Sequence, residues 1–290
     1  MRIIEEQSAE IWKQEPGLHG IYEQIEKAAR VCYQSQDLIK AGSAELIVKG
    51  LIKNKHTAML EHGTVYLERH LKDPTEFPSK EKYIKEQQAF NEFVDRYATN
   101  NFSIVFLNKY HDYVAITTNY RVIIENGWEK DMKYLCNPSA FHEKRTTVVM
   151  TTNLQVATEY IRHRLMSFAM ESTRYCSYDK EKFGNELSFI LPLWLKGDNI
   201  DKMAAIEWVN AMQDAENHYM RLRDKGWKAQ QCAQVLPKAT KTTLVMSGCE
   251  TFWRHFFDLR YFEKTGPAHP QAKELAEIIY KLMYDENTES

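Results

Sequence analysis

Apolar residues recur along the chain with two periods, one typical of helices and the other typical of strands. Apolar residues three or four positions apart predict helices, and this spacing marks the segments 16–35, 44–53, 203–225, 230–236, 251–259 and 271–283. Alternating or β-branched runs predict strands, and they occupy the segments 64–68, 102–107, 113–118 and 146–152. Residues 71–98 are rich in charge and contain two prolines, which predicts a loop and then an exposed helix.

The segment that follows the strand-like run 146–152 begins with a helix-capping residue. Asn153 can cap a helix whose apolar face extends to the neighbourhood of Leu165, where we expect the helix to end. The run 242–246 is compatible with either a strand or a helix. Strands therefore precede a helix-rich second half, and this order predicts an α+β fold. A length of 290 residues fits one large domain or two small ones.

Composition excludes several classes of protein. Lys and Arg together number 38 against 40 Asp and Glu, so the net charge of −2 argues against a general nucleic-acid binder. No run approaches 18 apolar residues and the first residues lack a signal-peptide pattern, so we expect a cytoplasmic protein without membrane contact. Five widely spaced cysteines without a C-x-x-C pair predict neither a disulfide framework nor a metal site.

The densest cluster of chemically useful side chains begins at Arg162-His163-Arg164. On a helix these three side chains would point about 100° apart, so at least one would face a pocket or an interface. The segment Ser172-Thr173-Arg174 adds hydroxyl groups, backbone N–H groups and a guanidinium, which together suit a phosphate. The alternative is a solvated, charged end of a helix.

The whole stretch RHRLMSFAMESTRY resembles the signature of the flavin-dependent thymidylate synthases: R-H-R, seven residues, Ser, and then Arg-Tyr two positions later. Residues 56–62 (HTAMLEH) resemble an upstream element of the same family, just before a strand. Residues 235–237 and 253–260 resemble its closing segment. The likeness extends from about residue 45 to residue 283, and we expect an insertion at about 71–112 in a single domain over 1–290.

The resemblance implies a fold, an assembly and a reaction. It implies a mixed α+β domain with a central antiparallel sheet, assembled as a homotetramer whose active sites are shared between subunits. The implied reaction is reductive methylation of dUMP to dTMP, with methylenetetrahydrofolate as carbon donor, FAD as cofactor and NADPH as reductant. In such chemistry the cofactor performs the redox step, while the protein positions and polarises the reactants.

The resemblance also assigns roles to individual residues. Arg260 would be the catalytic residue, because a guanidinium stays charged and favours the N3-deprotonated form of the uracil ring. The residues matched to substrate binding are Glu159, Arg162, Ser172, Thr173, Arg174 and Arg260. Those matched to the cofactor site are His56, Glu61, Arg162, His163, Arg164, Met170, Cys249, Thr251 and His255.

Several positions depart from the family pattern and bear on affinity for substrate and cofactor. Glu159 replaces a common Gln, and Ala233 stands where many members carry an arginine for the nucleotide phosphate. Ala58, Met170, Cys249 and Thr251 replace other residues that are usual around the flavin. Two alternatives therefore stay open: a methylase of another pyrimidine nucleotide such as UMP, and a non-catalytic nucleotide- or RNA-binding relative.

Overall fold

The computed structural model describes residues 1–197 and 200–285, in which helices pack on three β-sheets. The strands are β1 (Arg2–Ile4), β2 (Ser8–Trp12), β3 (Thr64–His70), β4 (Ile104–Leu107), β5 (Tyr113–Asn119), β6 (Arg145–Asn153), β7 (Ser167–Met170), β8 (Ser188–Ile190) and β9 (Lys241–Cys249). The helices are α1 (Gly17–Val31), α2 (Ser43–Lys53), α3 (Lys80–Ala98), α4 (Tyr120–Glu125), α5 (Leu154–Tyr160), α6 (Lys202–Asp224), α7 (Ala229–Cys232), α8 (Glu250–Arg260) and α9 (Pro270–Tyr284).

The central sheet has the strand order β2-β6-β9-β7 and is antiparallel throughout. Strands β6 and β9 pair over nine residues, from Arg145 opposite Cys249 to Asn153 opposite Lys241. One face of this sheet packs against α5, α8 and α9, and the other face packs against α1. Because successive side chains point to opposite faces, β9 is buried on both sides. The predicted α+β class with a central antiparallel sheet is confirmed.

Two smaller sheets complete the fold. Strands β3, β5 and β4 form an antiparallel sheet whose core includes side chains of α1 and α3. Strands β1 and β8 pair in parallel, and a third core joins β8 to α6 and α7. Among the described residues, no helix combines the length and the apolarity that crossing a membrane requires.

Most predicted elements are present; the prediction for α3 is corrected, and the open assignment of 242–246 is decided. Helix α3 is not simply exposed, because it buries Phe90, Phe93, Val94 and Tyr97 against β3 and β5. Together with β4 it occupies most of the segment expected as an insertion, and that expectation stays a prediction. The ambiguous run 242–246 is part of a strand, β9.

The helix that follows Asn153 is shorter than its sequence pattern predicts. Helix α5 ends at Tyr160, and Arg162-His163-Arg164 lie in turns beyond it. A backbone hydrogen bond closes the first turn, with the N–H of His163 donating to the carbonyl of Tyr160. The chain turns here because the next residues, Ser167–Met170, add an edge strand to β9. Pairing with the central sheet therefore overrides local helical periodicity.

We predict that Asn153 stabilises α5 through its cap. Its side-chain oxygen accepts the N–H of Val156 at 2.8 Å, and its amide donates to Gln271 Oε1 at 3.2 Å. Asn153→Ala should lower the free energy of unfolding by about 1–2 kcal/mol, measured in urea. Asn153→Ser also loses the Gln271 bond but keeps a capping oxygen, so it should recover about 1 kcal/mol. Equal stabilities of the two variants would show that the cap contributes nothing.

Candidate active site

The C-terminal ends of α5 and α8 meet above one face of the central sheet. The two helices start at opposite ends of the β6–β9 pair and run toward each other, and they share one core cluster. Helix α5 has seven residues and is about 10 Å long, and helix α8 has eleven residues and is about 16 Å long. Their combined length is close to the length of the nine paired strand residues, about 30 Å. The last residue of α8, Arg260, therefore arrives beside Glu159, the penultimate residue of α5.

Three hydrogen bonds orient the guanidinium of Arg260. Its Nε donates to His163 Nε2 at 3.2 Å, its Nη2 donates to the carbonyl oxygen of Glu159 at 3.1 Å, and its Nη1 lies 3.5 Å from Glu159 Oε2. A cation at the C-terminus of α5 is also favoured by the helix dipole. Arginine has five N–H donors, so two remain for another group, and the side chain is 20% exposed. The arrangement presents a fixed, partly accessible guanidinium.

His163 is held in its neutral form. Burial, the Arg260 guanidinium and His255 together lower the pKa of His163 to about 4. Because Nε2 accepts a hydrogen bond from Arg260, the neutral ring carries its proton on Nδ1. The edge of the ring packs against Phe256, with 5.0 Å between ring centroids. His163 is therefore a fixed, uncharged side chain rather than a second cation.

The two arginines beside His163 are accessible. Arg162 and Arg164 are exposed, and neither guanidinium makes an ion pair with any residue that the structure describes. Leaving two guanidinium groups without a carboxylate is unfavourable unless water or a ligand satisfies them. Together with the Nδ1–H of His163, they offer a surface of donors suited to an anionic or carbonyl-rich ligand.

Ser172, Thr173 and Arg174 form a separate group at the other end of β7. The Ser172 N–H donates to the carbonyl of Cys32 at 3.0 Å, which fixes the turn on the end of α1. Arg174 is exposed and its guanidinium carbon lies 5.3 Å from the centre of the Tyr175 ring. Four strand residues separate this turn from the Arg164 turn, or about 13 Å. Within one chain, the structure does not bring Arg174 into contact with Arg260.

The upstream element occupies a short 3-10 segment, Thr57–His62, which packs against β7 and α4. His62 is completely buried, and its Nδ1 lies 2.8 Å from the hydroxyl of Ser247 on β9. Glu61 accepts a 2.5 Å hydrogen bond from Arg121. His56, just before this segment, is exposed. His62 therefore anchors the element to the central sheet while Glu61 and His56 remain at its surface.

The remaining residues matched to the cofactor site are divided between the core and the surface. Thr251 and His255 are exposed on α8, and the His255 ring centre is 6.1 Å from that of His163. Met170 is half-buried on β7. Cys249 is only 2% exposed, and burial raises the pKa of its thiol to about 11. A contact between Cys249 and a cofactor stays a prediction.

Two polar pairs next to the matched residues were missed by sequence reasoning. Arg121 holds Glu61, although the two are 60 positions apart. Glu171, 1% exposed, accepts hydrogen bonds from Lys241 Nζ at 2.8 Å and from the hydroxyl of Tyr178 at 3.0 Å. A glutamate inside the ESTRY segment was a visible signal, because a buried carboxylate requires partners. The pairing of Arg121 had no such signal.

Comparison with known proteins settles the family. A family described as thymidylate synthase complementing protein matches residues 120–286, more than half of the chain. The chain belongs to this family. The match includes the turns around His163, the Ser172 segment and Arg260, whereas the upstream element 56–62 lies outside it.

Several curated relatives are similar over part of their length. The flavin-dependent thymidylate synthase of Pyrococcus furiosus is 25% identical over 58% of this chain and 66% of its own. The probable flavin-dependent thymidylate synthase of Mycobacterium phage L5 is 30% identical over 51% of this chain and 62% of its own. That of Synechocystis is 30% identical over 49% of this chain and 68% of its own. The chain thus spans about two thirds of the length of these relatives.

Two solved structures resemble the whole chain at a low level. Both are of PolB, a UMP/dUMP methylase from Streptomyces cacaoi. The complex with 5-Br dUMP gives a TM-score of 0.44 at 16% identity, covering 98% of this chain and 93% of that one. The complex with 5-Br UMP gives 0.47 at 14% identity, covering 98% and 92%. A TM-score below 0.5 does not establish a common fold.

The low pKa of His163 predicts a pH-dependent stability. The pKa is about 4 in the folded protein against 6.5 ordinarily, so the unfolded chain binds the extra proton first. The stability is present above pH 6.5 and is lost as the pH falls toward 4. Between pH 7 and pH 5, protonation of His163 in the unfolded chain should lower the free energy of unfolding by about 2 kcal/mol.

The test compares two histidine variants by urea unfolding at pH 7 and pH 5. His163→Gln keeps an acceptor for Arg260 but cannot be protonated. Between pH 7 and pH 5 its free energy of unfolding should therefore fall by about 2 kcal/mol less than that of the native chain. His255→Gln, an exposed position on α8, should leave the native difference nearly unchanged. The same pH difference in all three proteins would refute the account of His163.

Proposed function

We propose that the chain is an FAD-dependent thymidylate synthase that methylates dUMP to dTMP, with methylenetetrahydrofolate as carbon donor and NADPH as reductant. The observation that carries the proposal is the Arg260 guanidinium, which His163 and Glu159 orient at 3.2 and 3.1 Å. It is fixed and accessible, as a residue that polarises a substrate must be. Membership of the thymidylate synthase complementing protein family supports the same reaction.

The role of Arg260 follows from its hydrogen-bonding capacity. The uracil ring becomes nucleophilic at C5 when negative charge develops at N3 and the flanking carbonyl. A guanidinium donates two parallel hydrogen bonds and has no acceptor, so it favours that charge distribution. Two N–H donors of Arg260 remain after its contacts with His163 and Glu159 are made. The carboxylate of Glu159 offsets part of the positive charge, and it helps to fix the orientation of the guanidinium.

The residues around His163 fit a flavin. Arg162 and Arg164 offer charged donors that pair with no carboxylate in the described parts of the chain, and His163 offers an uncharged N–H beside them. We assign His255 to the edge of the same site, with Glu61, Thr251, His56, Met170 and Cys249 as further candidates for contact with the cofactor. When bound, FAD supplies the hydride for the reductive step. The protein groups hold the cofactor, orient the pyrimidine and keep His163 neutral.

We assign binding of the dUMP phosphate to the Ser172-Thr173-Arg174 turn. Ala233, half-buried at the start of a short 3-10 turn, offers no charge. Lys238 and Lys241 follow it and could replace an arginine there, but Lys241 is already paired with Glu171 at 2.8 Å. We therefore expect Arg174 and the hydroxyl groups of Ser172 and Thr173 to make most of the contacts with the phosphate.

A shared active site accounts for the separation of these groups within one chain. Arg174 lies at the far end of β7 from the Arg164 turn, so a single chain does not place both against one nucleotide. We propose a homotetramer in which one subunit supplies Arg174 and another supplies Arg260. The same proposal includes a cytoplasmic location and small-molecule partners only, without nucleic acid or membrane.

We predict that flavin binding depends on the two unpaired arginines. The native protein should bind FAD, and Arg162→Ala and Arg164→Ala should each weaken binding about tenfold to 150-fold, the equivalent of 1.5–3 kcal/mol per charged hydrogen bond. Quenching of flavin fluorescence measures the dissociation constant. Arg254→Ala is the matched control, because Arg254 is exposed on α8 and pairs with Glu250 of the same helix. A native protein that takes up no FAD would refute the proposal.

We predict that Arg260 is the catalytic residue that activates the uracil ring. Arg260→Ala should abolish dTMP formation, and Arg260→Lys should restore little, because an ammonium cannot reproduce the planar pair of donors. Turnover is measured at saturating dUMP, with Arg254→Ala as the control on the same helix. A circular dichroism spectrum and an FAD titration establish that each variant is folded. Near-native turnover in either Arg260 variant would mean that another residue activates the ring.

A further inference from the structure

The Ser172-Thr173-Arg174 turn lies in a loop, residues 171–178, which belongs to neither a helix nor a strand. The loop begins where β7 ends at Met170. A segment without regular structure is restricted only by its other contacts, and any conformational freedom that remains must be lost when a ligand binds. The contacts that hold this loop therefore bear directly on nucleotide affinity.

A hydrogen bond between the first and last residues closes this loop across its base. Glu171 is 1% exposed, and its Oε1 accepts a hydrogen bond from the hydroxyl of Tyr178 at 3.0 Å. Burial and the Glu171 carboxylate raise the pKa of Tyr178 well above its usual range, so the hydroxyl keeps its proton and is the donor. The ring of Tyr178 is also buried, against Phe183 and Tyr219. Both ends of the loop are thus held together inside the protein.

The second carboxylate oxygen of Glu171 attaches the base of the loop to β9. Lys241 Nζ donates to Glu171 Oε2 at 2.8 Å and to the hydroxyl of Thr243 at 2.9 Å. The N–H of Glu171 donates to the carbonyl of Thr243 at 2.9 Å. Because a buried carboxylate without a cation is strongly unfavourable, Lys241 stabilises Glu171 in this position. Lys241 therefore acts on the turn through Glu171.

Backbone hydrogen bonds extend this order from the base of the loop into the turn. The N–H of Ser172 donates to the carbonyl of Cys32 at 3.0 Å, and the N–H of Cys176 donates to the carbonyl of Ser172 at 2.9 Å. Arg174, between these two anchors, is exposed. The loop thus combines a buried, hydrogen-bonded base with an accessible guanidinium, and this arrangement suits a preorganised anion site.

We propose that Glu171, Tyr178 and Lys241 are positioning residues for the nucleotide phosphate, because together they fix the loop that carries Ser172 and Arg174. Their effect on the ligand passes through the turn and not through contact with the phosphate. The inference rests on the proposed function, which assigns the phosphate to this turn. Contacts that only stabilised the fold would not change the nucleotide affinity of the folded protein, whereas positioning residues would.

Tyr178→Phe tests the inference, since it keeps the buried ring and removes the hydroxyl. The dissociation constant of dUMP, measured by calorimetry, should rise about tenfold, within the range expected for residues of one hydrogen-bond network. The kcat should stay within about twofold, because phosphate binding is nearly uniform between ground and transition states. UMP carries the same phosphate, so its dissociation constant should rise by the same factor. Glu171→Gln, which weakens the Lys241 contact, should change both constants in the same direction.

Two controls separate positioning from general destabilisation. Tyr97→Phe removes a matched hydroxyl, because Tyr97 is fully buried and donates to the buried carboxylate of Asp131, also at 3.0 Å, in the core of the second sheet. This variant should bind dUMP as the native protein does. In an Arg174→Ala background the phosphate has lost its guanidinium, so adding Tyr178→Phe should raise the dissociation constant by less than about twofold.

The outcomes distinguish this inference from the proposed function. Native dUMP affinity in Tyr178→Phe and in Glu171→Gln, each shown to be folded by circular dichroism, would overturn the inference and leave the proposed function standing. A loss of affinity that is equally large in Tyr97→Phe, or that persists in full without Arg174, would also overturn it. A native protein that binds neither dUMP nor UMP would refute the proposed function and this inference with it.

Discussion

The pairing of β6 with β9 is the constraint on which the candidate active site depends. The two strands run antiparallel over nine residues, so α5 leaves one end of the pair and α8 leaves the other. Both helices cover the same face of the sheet and converge by their C-terminal ends. Arg260 is thereby placed against the last turn of α5 and against His163. A change in register would move the two helix ends apart, so strand pairing and site geometry are inseparable.

The electrostatics of the site follow from that meeting point. Carbonyl groups at the end of α5 and the Glu159 carboxylate attract the Arg260 guanidinium, and burial together with this guanidinium keeps the ring of His163 neutral. Among the described residues Arg162 and Arg164 have no ion-pair partner, and they lie where the chain turns away from α5 to form β7. The upstream element reaches the same sheet through the buried His62, which is 2.8 Å from Ser247. A fixed, neutral histidine lies beside exposed guanidinium groups that pair with no carboxylate in the described residues, and this arrangement suits an anionic or carbonyl-rich ligand, which is why we interpret the region as a binding site.

The sequence predicted the elements well where their patterns were local. The Asn153 cap, the β-branched run of β6 and the helical spacing in α8 all have short-range signals, and each is present. The predicted end of α5 was wrong because the pairing of residues 167–170 with β9 leaves no signal in a helical pattern. The Arg260–His163 contact joins residues 97 positions apart, so only the family resemblance brought both residues into one site.

The central claim is that the oriented guanidinium of Arg260 serves the methylation of dUMP. The most direct measurement supplies the purified chain with FAD, NADPH, methylenetetrahydrofolate and either dUMP or UMP, and identifies the nucleotide products by mass spectrometry. The account predicts dTMP from dUMP at a kcat/KM well above that for UMP. Preferential methylation of UMP would assign the chain to another pyrimidine nucleotide, and flavin-bound protein that methylates neither would contradict the account.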